Sequence, residues 1–191
     1  MRPFLRVFIL FIFLLSLPSL GHAVNDGFSA ASIEDSQYFQ IHFQKGTSHS
    51  QLLEKLDFIP DQEWLLNSNF DKNISFAGLT GAIDALFIRV SSILDMYLYT
   101  FKGNIKVCQN HDQLKKIFYT LYHNQSIPDT GYSFYVHELK TIYISQDHFT
   151  KAVLSHEIAH AVISHYFVVQ PSIKVQEVLA GYIEFQIRKS R

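Results

Sequence analysis

Residues 150–167 read TKAVLSHEIAHAVISHYF, with neither glycine nor proline, and apolar positions fall on nearly every side of the helix that this spacing predicts. A helix apolar all round is buried. Residues 79–99 predict a second long helix, because Leu79, Ile83, Leu86, Phe87, Val90, Ile93, Leu94, Tyr97 and Leu98 recur at steps of three and four. Its Asp84, Arg89 and Asp95 are ill suited to a membrane span. Ser50 can cap a short helix through Leu56, and residues 111–123 predict another, with Leu114, Ile117, Phe118 and Leu121 in phase. Gln170-Pro171-Ser172 breaks the chain ahead of a last helix over residues 173–189. Strand composition marks residues 38–43, 104–108, 132–136 and 141–145, the last two forming a hairpin around His137-Glu138-Leu139-Lys140. Residues 24–35 read as a loose polar start, 60–76 as a loop anchored by the only tryptophan, Trp64, and 126–131 as a turn.

The N-terminus has a different pattern. Arg2 and Arg6 precede an apolar run over residues 7–17, Pro18 and Ser19 break it, and Gly21-His22-Ala23 sets small residues at the two positions a signal peptidase reads. That is a secretory signal peptide over residues 1–23, cleaved after Ala23, and it predicts an exported protein, periplasmic or extracellular. The run is shorter than the ~20 residues a membrane span needs, so no stable span is expected in the mature chain. Residues 24–191 suffice for a single domain with a sizeable core. They carry 14 basic and 17 acidic residues, a net charge of −3. This balance argues against nucleic acid, or an anionic membrane surface, as the main partner. The sole cysteine, Cys108, lies in an apolar stretch and reads as a buried, inert thiol rather than half of a disulfide. Asn73-Ile74-Ser75 and Asn124-Gln125-Ser126 match the glycosylation pattern, which matters only in a eukaryotic secretory pathway.

The candidate chemistry lies in the buried helix, at His156-Glu157-Ile158-Ala159-His160. Histidines four apart stand on one helix face, where both imidazoles can reach one Zn²⁺ at about 2.0–2.1 Å. Glu157, beside them, is placed to act as base toward a metal-activated water. A catalytic zinc keeps three protein ligands and an open position, so a third ligand is required. The continuation H-x-x-G-x-x-H fails, because Ile163 and Tyr166 occupy the glycine and histidine positions. His165, nine residues past His156, falls on the opposite side of the helix. Glu177 on the last helix is better placed. A turn through Pro171 lets the two helices pack side by side, and Ala152, Ala159, Ala180 and Gly181 allow close approach. Glu184, two turns on, pairs with Arg188 or orients a histidine from behind. His111, His123 and His137-Glu138 read as isolated surface groups.

The two histidines and the distant glutamate together resemble the gluzincins, zinc peptidases with this ligand set, over residues 132–187. The resemblance implies an α+β, zincin-like fold in which a small sheet packs an edge strand on the motif helix, with the glutamate-bearing helix following. It implies Zn²⁺ ligated by His156, His160 and Glu177, with Glu157 as general base. It also implies that residues 141–145 are the edge strand bordering the cleft, where an extended peptide pairs, with pockets lined by Val153, Ile163 or Phe167. The chain departs from the pattern at Gly181, where many gluzincins carry an acid, and in the 14 residues after Glu177 it has no subdomain to supply an oxyanion-stabilising side chain. Tyr166 and Tyr182 are the candidates for that role. The expected function is an exported zinc metallopeptidase acting on a peptide or protein substrate. The alternatives are a zinc hydrolase of another substrate class and a non-catalytic exported protein that keeps the scaffold to bind zinc or a partner.

Overall fold

Strands that pair on both sides have both faces to cover, so their apolar residues must serve two layers at once. The computed structural model describes residues 25–58, 77–122 and 131–189. The signal peptide, the loop over 60–76 with Trp64, both glycosylation motifs, His123 and nearly all of the 126–131 turn lie outside them. The described chain runs β1 (Ser32–Asp35), β2 (Phe39–Phe43), α1 (His49–Leu56), α2 (Gly78–Leu94), β3 (Gly103–Cys108), α3 (His111–Leu121), β4 (Ser133–Val136), β5 (Thr141–Ser145), a single 3₁₀ turn, α4 (Lys151–Tyr166) and α5 (Ile173–Lys189). The fold is mixed α and β, with one five-stranded sheet ordered β1-β2-β3-β5-β4. β2, β3 and β5 run parallel, and β1 and β4 close the two edges antiparallel.

Alternation along the strands divides the core. Ile105, Val107, Ile142 and Ile144 join the larger apolar cluster with α1, α2, α4 and α5. Cys108, Phe134, Val136 and Tyr143 face the other way and pack with Leu114 and Ile117 of α3. Cys108 is the inert thiol expected, fully buried, and burial pushes its pKa up to about 12. Gly103 opens β3 where the backbone passes Lys140: an added Cβ would stand 2.8 Å from the Lys140 carbonyl oxygen.

Four expectations change. Ser48 and not Ser50 caps α1, its hydroxyl accepting the Gln51 N–H at 3.4 Å. The helix from residue 79 stops at Leu94 and not at Tyr99. Asp95 adopts the left-handed conformation (φ 54°) that Asp tolerates, and its N–H bonds back to the carbonyls of Ser91 and Ser92. Residues 32–35, taken as loose, form β1. The segment holds one apolar residue, the half-exposed Ile33, so backbone pairing with β2 and not burial makes it a strand. Most consequentially, residues 141–145 are not the sheet edge. β5 pairs with β3 on one side and β4 on the other, every residue in it is buried, and the edge is β4. No helix among the described residues is long and apolar enough to cross a membrane.

Two buried carboxylates tie the sheet to its flanks. Asp84, on α2, accepts bonds from the Ser36 hydroxyl (2.7 Å) and the Gln37 (2.7 Å) and Tyr38 (3.1 Å) N–H groups, closing the turn between β1 and β2. Burial nevertheless raises its pKa. Asp26 meets the Lys106 ammonium and the Tyr143 hydroxyl beneath the other face. Burial alone would raise its pKa, but the bonds from Lys106, Tyr143 and the Phe28 N–H outweigh it, and the carboxyl ionises below 3.8. A depressed carboxyl stabilises the fold above its unfolded pKa and loses that contribution as pH falls through the folded value. Asp26→Asn should therefore cost about 1–3 kcal/mol at neutral pH in chemical denaturation. The difference from wild type should shrink as pH drops below 3.8.

Candidate metal centre

α4 starts at Thr150, whose hydroxyl accepts the Val153 N–H at 3.3 Å, and it runs without interruption to Tyr166. It lies between the sheet and α5, which returns through Gln170-Pro171-Ser172 and packs along it. Ala159 and Ala180 are fully buried and Ala152 nearly so, consistent with close approach of the two helices.

This packing brings the expected ligands together. His156 Nε2 and His160 Nε2 stand 3.2 Å apart, and Glu177 reaches each with a carboxylate oxygen at 3.5 Å. Tetrahedral donors about 2.0–2.1 Å from one ion stand ~3.3 Å from one another; Glu177 meets His156 through Oε2 and His160 through Oε1, and one ligand atom from each of the three residues can be chosen so that all lie within 4.8 Å of one another. Two nitrogens and a carboxylate are also a borderline-soft set suited to a transition metal ion. Among the described residues, this is the group of three or more His, Cys, Asp or Glu side chains whose ligand atoms converge closely enough to hold one. The histidines are mostly buried, whereas Glu177 is 56% exposed, so the triangle lies at the surface end of the helix pair.

The surrounding groups tune it. Burial lowers the His160 pKa, aided by His156 and opposed by Glu177 and Gln176, which favours the neutral imidazole a metal requires. His156 Nδ1, buried and otherwise without a hydrogen bond, faces Glu184 Oε2 at 3.4 Å. Glu184 also pairs with Arg188, as expected, so one carboxylate approaches both His156 and Arg188. Glu157 is buried, and burial pushes its pKa up to about 7, against the lowering effects of the Ser133 bond and of His156. A base poised near neutral pH is matched to proton transfer.

Ser133 was not foreseen. Its hydroxyl donates to Glu157 Oε1 at 2.6 Å, from the first residue of the edge strand β4. Nothing in the sequence distinguishes it, because the contact spans 24 residues and depends on where β4 lies over α4. His165 is on the opposite side, as expected, bonded to the Tyr135 hydroxyl at 2.8 Å. His137 and His111 are not isolated surface groups: His137 stacks on His165 at 4.7 Å, and His111 packs against Tyr132 with both ring nitrogens buried. Tyr166 and Tyr182 are about half exposed, and among the described residues neither hydrogen-bonds to the cluster. Tyr166 packs on Phe167, and Tyr182, five residues past Glu177, lies ~140° round α5 from it. No protein-family model, curated protein or solved structure matches the chain.

Titrating a divalent transition metal into the purified chain should fill about one site. His156→Ala and His160→Ala should abolish uptake, and Glu184→Gln should weaken it about 10–100-fold by releasing His156. Retention of full metal affinity in both alanine variants, read by calorimetry, would place the metal elsewhere.

Proposed function

We propose that the chain is a zinc-dependent peptidase, exported under its N-terminal signal to the periplasm or the extracellular space. One observation carries the reading: a buried carboxyl, Glu157, adjoins a triangle of His156, His160 and Glu177, and the edge strand's Ser133 holds it. Three protein ligands leave a tetrahedral ion one open position, the arrangement of catalytic zinc. Bound there, zinc supplies a Lewis acid that polarises a carbonyl and activates water. Glu157 takes the proton from the attacking water and returns it to the leaving amine. Ser133 fixes the orientation of Glu157, and Glu184 fixes that of His156.

The substrate strand belongs on β4 and not β5. Ser145 N–H bonds to the Tyr132 carbonyl, so by the antiparallel alternation Ser133 and Tyr135 turn their own N–H and C=O groups to the outer side. An extended peptide pairing there is gripped through its backbone, one residue from the contact to Glu157. Of the pocket residues expected, Ile163 is fully buried and unable to line one, whereas Phe167 is 39% exposed and Val153 is partly buried.

The second reading is a non-catalytic zinc- or partner-binding protein, favoured by the positions of Tyr166 and Tyr182 away from the cluster. One variant separates the two. Glu157→Gln should keep the fold and the metal and lose hydrolysis of an unstructured peptide about 10²–10⁴-fold, since the amide accepts no proton. Equal turnover by wild type and variant leaves only the binding role. Ser133→Ala should lower kcat with little change in KM, because it frees the base without touching the ligands.

A further inference from the structure

α5 carries three kinds of surface. Ala180, Ile183 and Ile187 are buried against the core, and Glu177 and Glu184 face the histidines. The third side is apolar and open. Val175, Val178, Tyr182 and Phe185 follow one another at steps of three and four, so they form a single stripe centred ~110° from Glu177, and all are exposed. The stripe continues into the turn before the helix, where Val168 (103% exposed) and Val169 (83%) project with no packing around them. An exposed apolar area of this extent, unlike scattered single residues, marks an interaction site.

Its fringe says what covers it. Residues 166–176 contain no acid; Lys174 borders the stripe near its start, and Lys189 ends it, lying 4.3 Å over the Phe185 ring. The acids of α5 point away, into the metal centre. The overall negative charge, which disfavours an anionic surface for the molecule as a whole, is not shared by residues 166–189, where Lys174, Arg188 and Lys189 stand against Glu177 and Glu184. A protruding aliphatic tip, a Tyr and Phe stripe and flanking lysines are what an interfacial helix presents to a bilayer. We propose that the α4–α5 turn and the outer stripe of α5 form a peripheral docking site for an anionic lipid surface. Val168 and Val169 seat deepest, and α5 lies along the headgroups. The stripe is turned well away from Glu177, so docking leaves the histidine face of α5 open at the flank. The assignment stands independently of hydrolysis.

A polarity-sensitive dye tests it. Cys108 is buried and takes no label, so Val168→Cys carries the dye alone. With vesicles of phosphatidylcholine and phosphatidylglycerol, its emission should shift to the blue and brighten. A dye at Tyr119→Cys, exposed on α3 beyond the other face of the sheet, should not respond. Val178→Asp with Phe185→Asp, both exposed and tolerable to the fold, should cut vesicle partitioning at least about tenfold. His160→Ala should partition like wild type, which keeps the result separate from the metal site. No vesicle response at position 168 overturns the proposal. So does a shift there that grows with protein concentration in the absence of lipid, since that assigns the stripe to a second copy of the chain.

Discussion

The site depends on one constraint: α4 is buried on almost every side yet carries His156, Glu157 and His160. Burial of an unpartnered imidazole or carboxyl costs several kcal/mol, so the polar groups of this helix decide what packs beside it. α5 answers for the histidines with Glu177 and Glu184, and β4 answers for Glu157 with Ser133. Both partners come from outside the helix, one from the helix that follows it and one from the hairpin that precedes it. The donor triangle is therefore a product of helix–helix packing and is no more rigid than that packing.

The same packing sets the electrostatics. Removing Glu157 from water raises its pKa, and two more carboxylates nearby, Glu177 and Glu184, push it the same way. His160 moves in the opposite direction for the same reason, because burial penalises whichever form is charged. Glu157 is thereby brought to titrate near neutral pH, and His160 is held toward its neutral form. Away from the site the balance differs. Asp26 ionises easily, despite being buried, because an ammonium and a phenol bond to it, whereas the hydrogen bonds to Asp84 come from neutral donors and, even with the charge of Lys102, do not offset its burial.

The sheet shows how strand order decides which strand is left as the free edge. β5 leads directly into the motif helix, which makes it look like the strand next to the chemistry. Its residues, TIYIS, are buried throughout, which is the behaviour of a strand paired on both sides. The chain places β4 before β5 in sequence but outside it in space, so the free edge and the contact to Glu157 fall on the same short strand. α5 in turn divides its circumference among core, the carboxylates that face the histidines and an outer apolar stripe, so one helix presents three kinds of surface.

Local periodicity determined most of the elements from the sequence alone. The stretch over residues 150–167, free of Gly and Pro and apolar on nearly every side, read as a buried helix, and the spacing of His156 and His160 put both rings on one face. The small residues around Glu177 marked it as the candidate third ligand before any distance was known; Ala180 is buried in the helix contact, whereas Gly181 faces open space. Helix ends were less legible: the apolar phase runs on through Tyr97 and Leu98, and only the left-handed turn at Asp95 stops it. β1 was invisible because its pairing is made by backbone groups, which every residue carries. The sheet edge, the role of Ser133 and the outward direction of Tyr182 were decided by tertiary structure. Each depends on which segments distant in sequence lie side by side, and a one-dimensional pattern of burial records that an element is covered without recording by what.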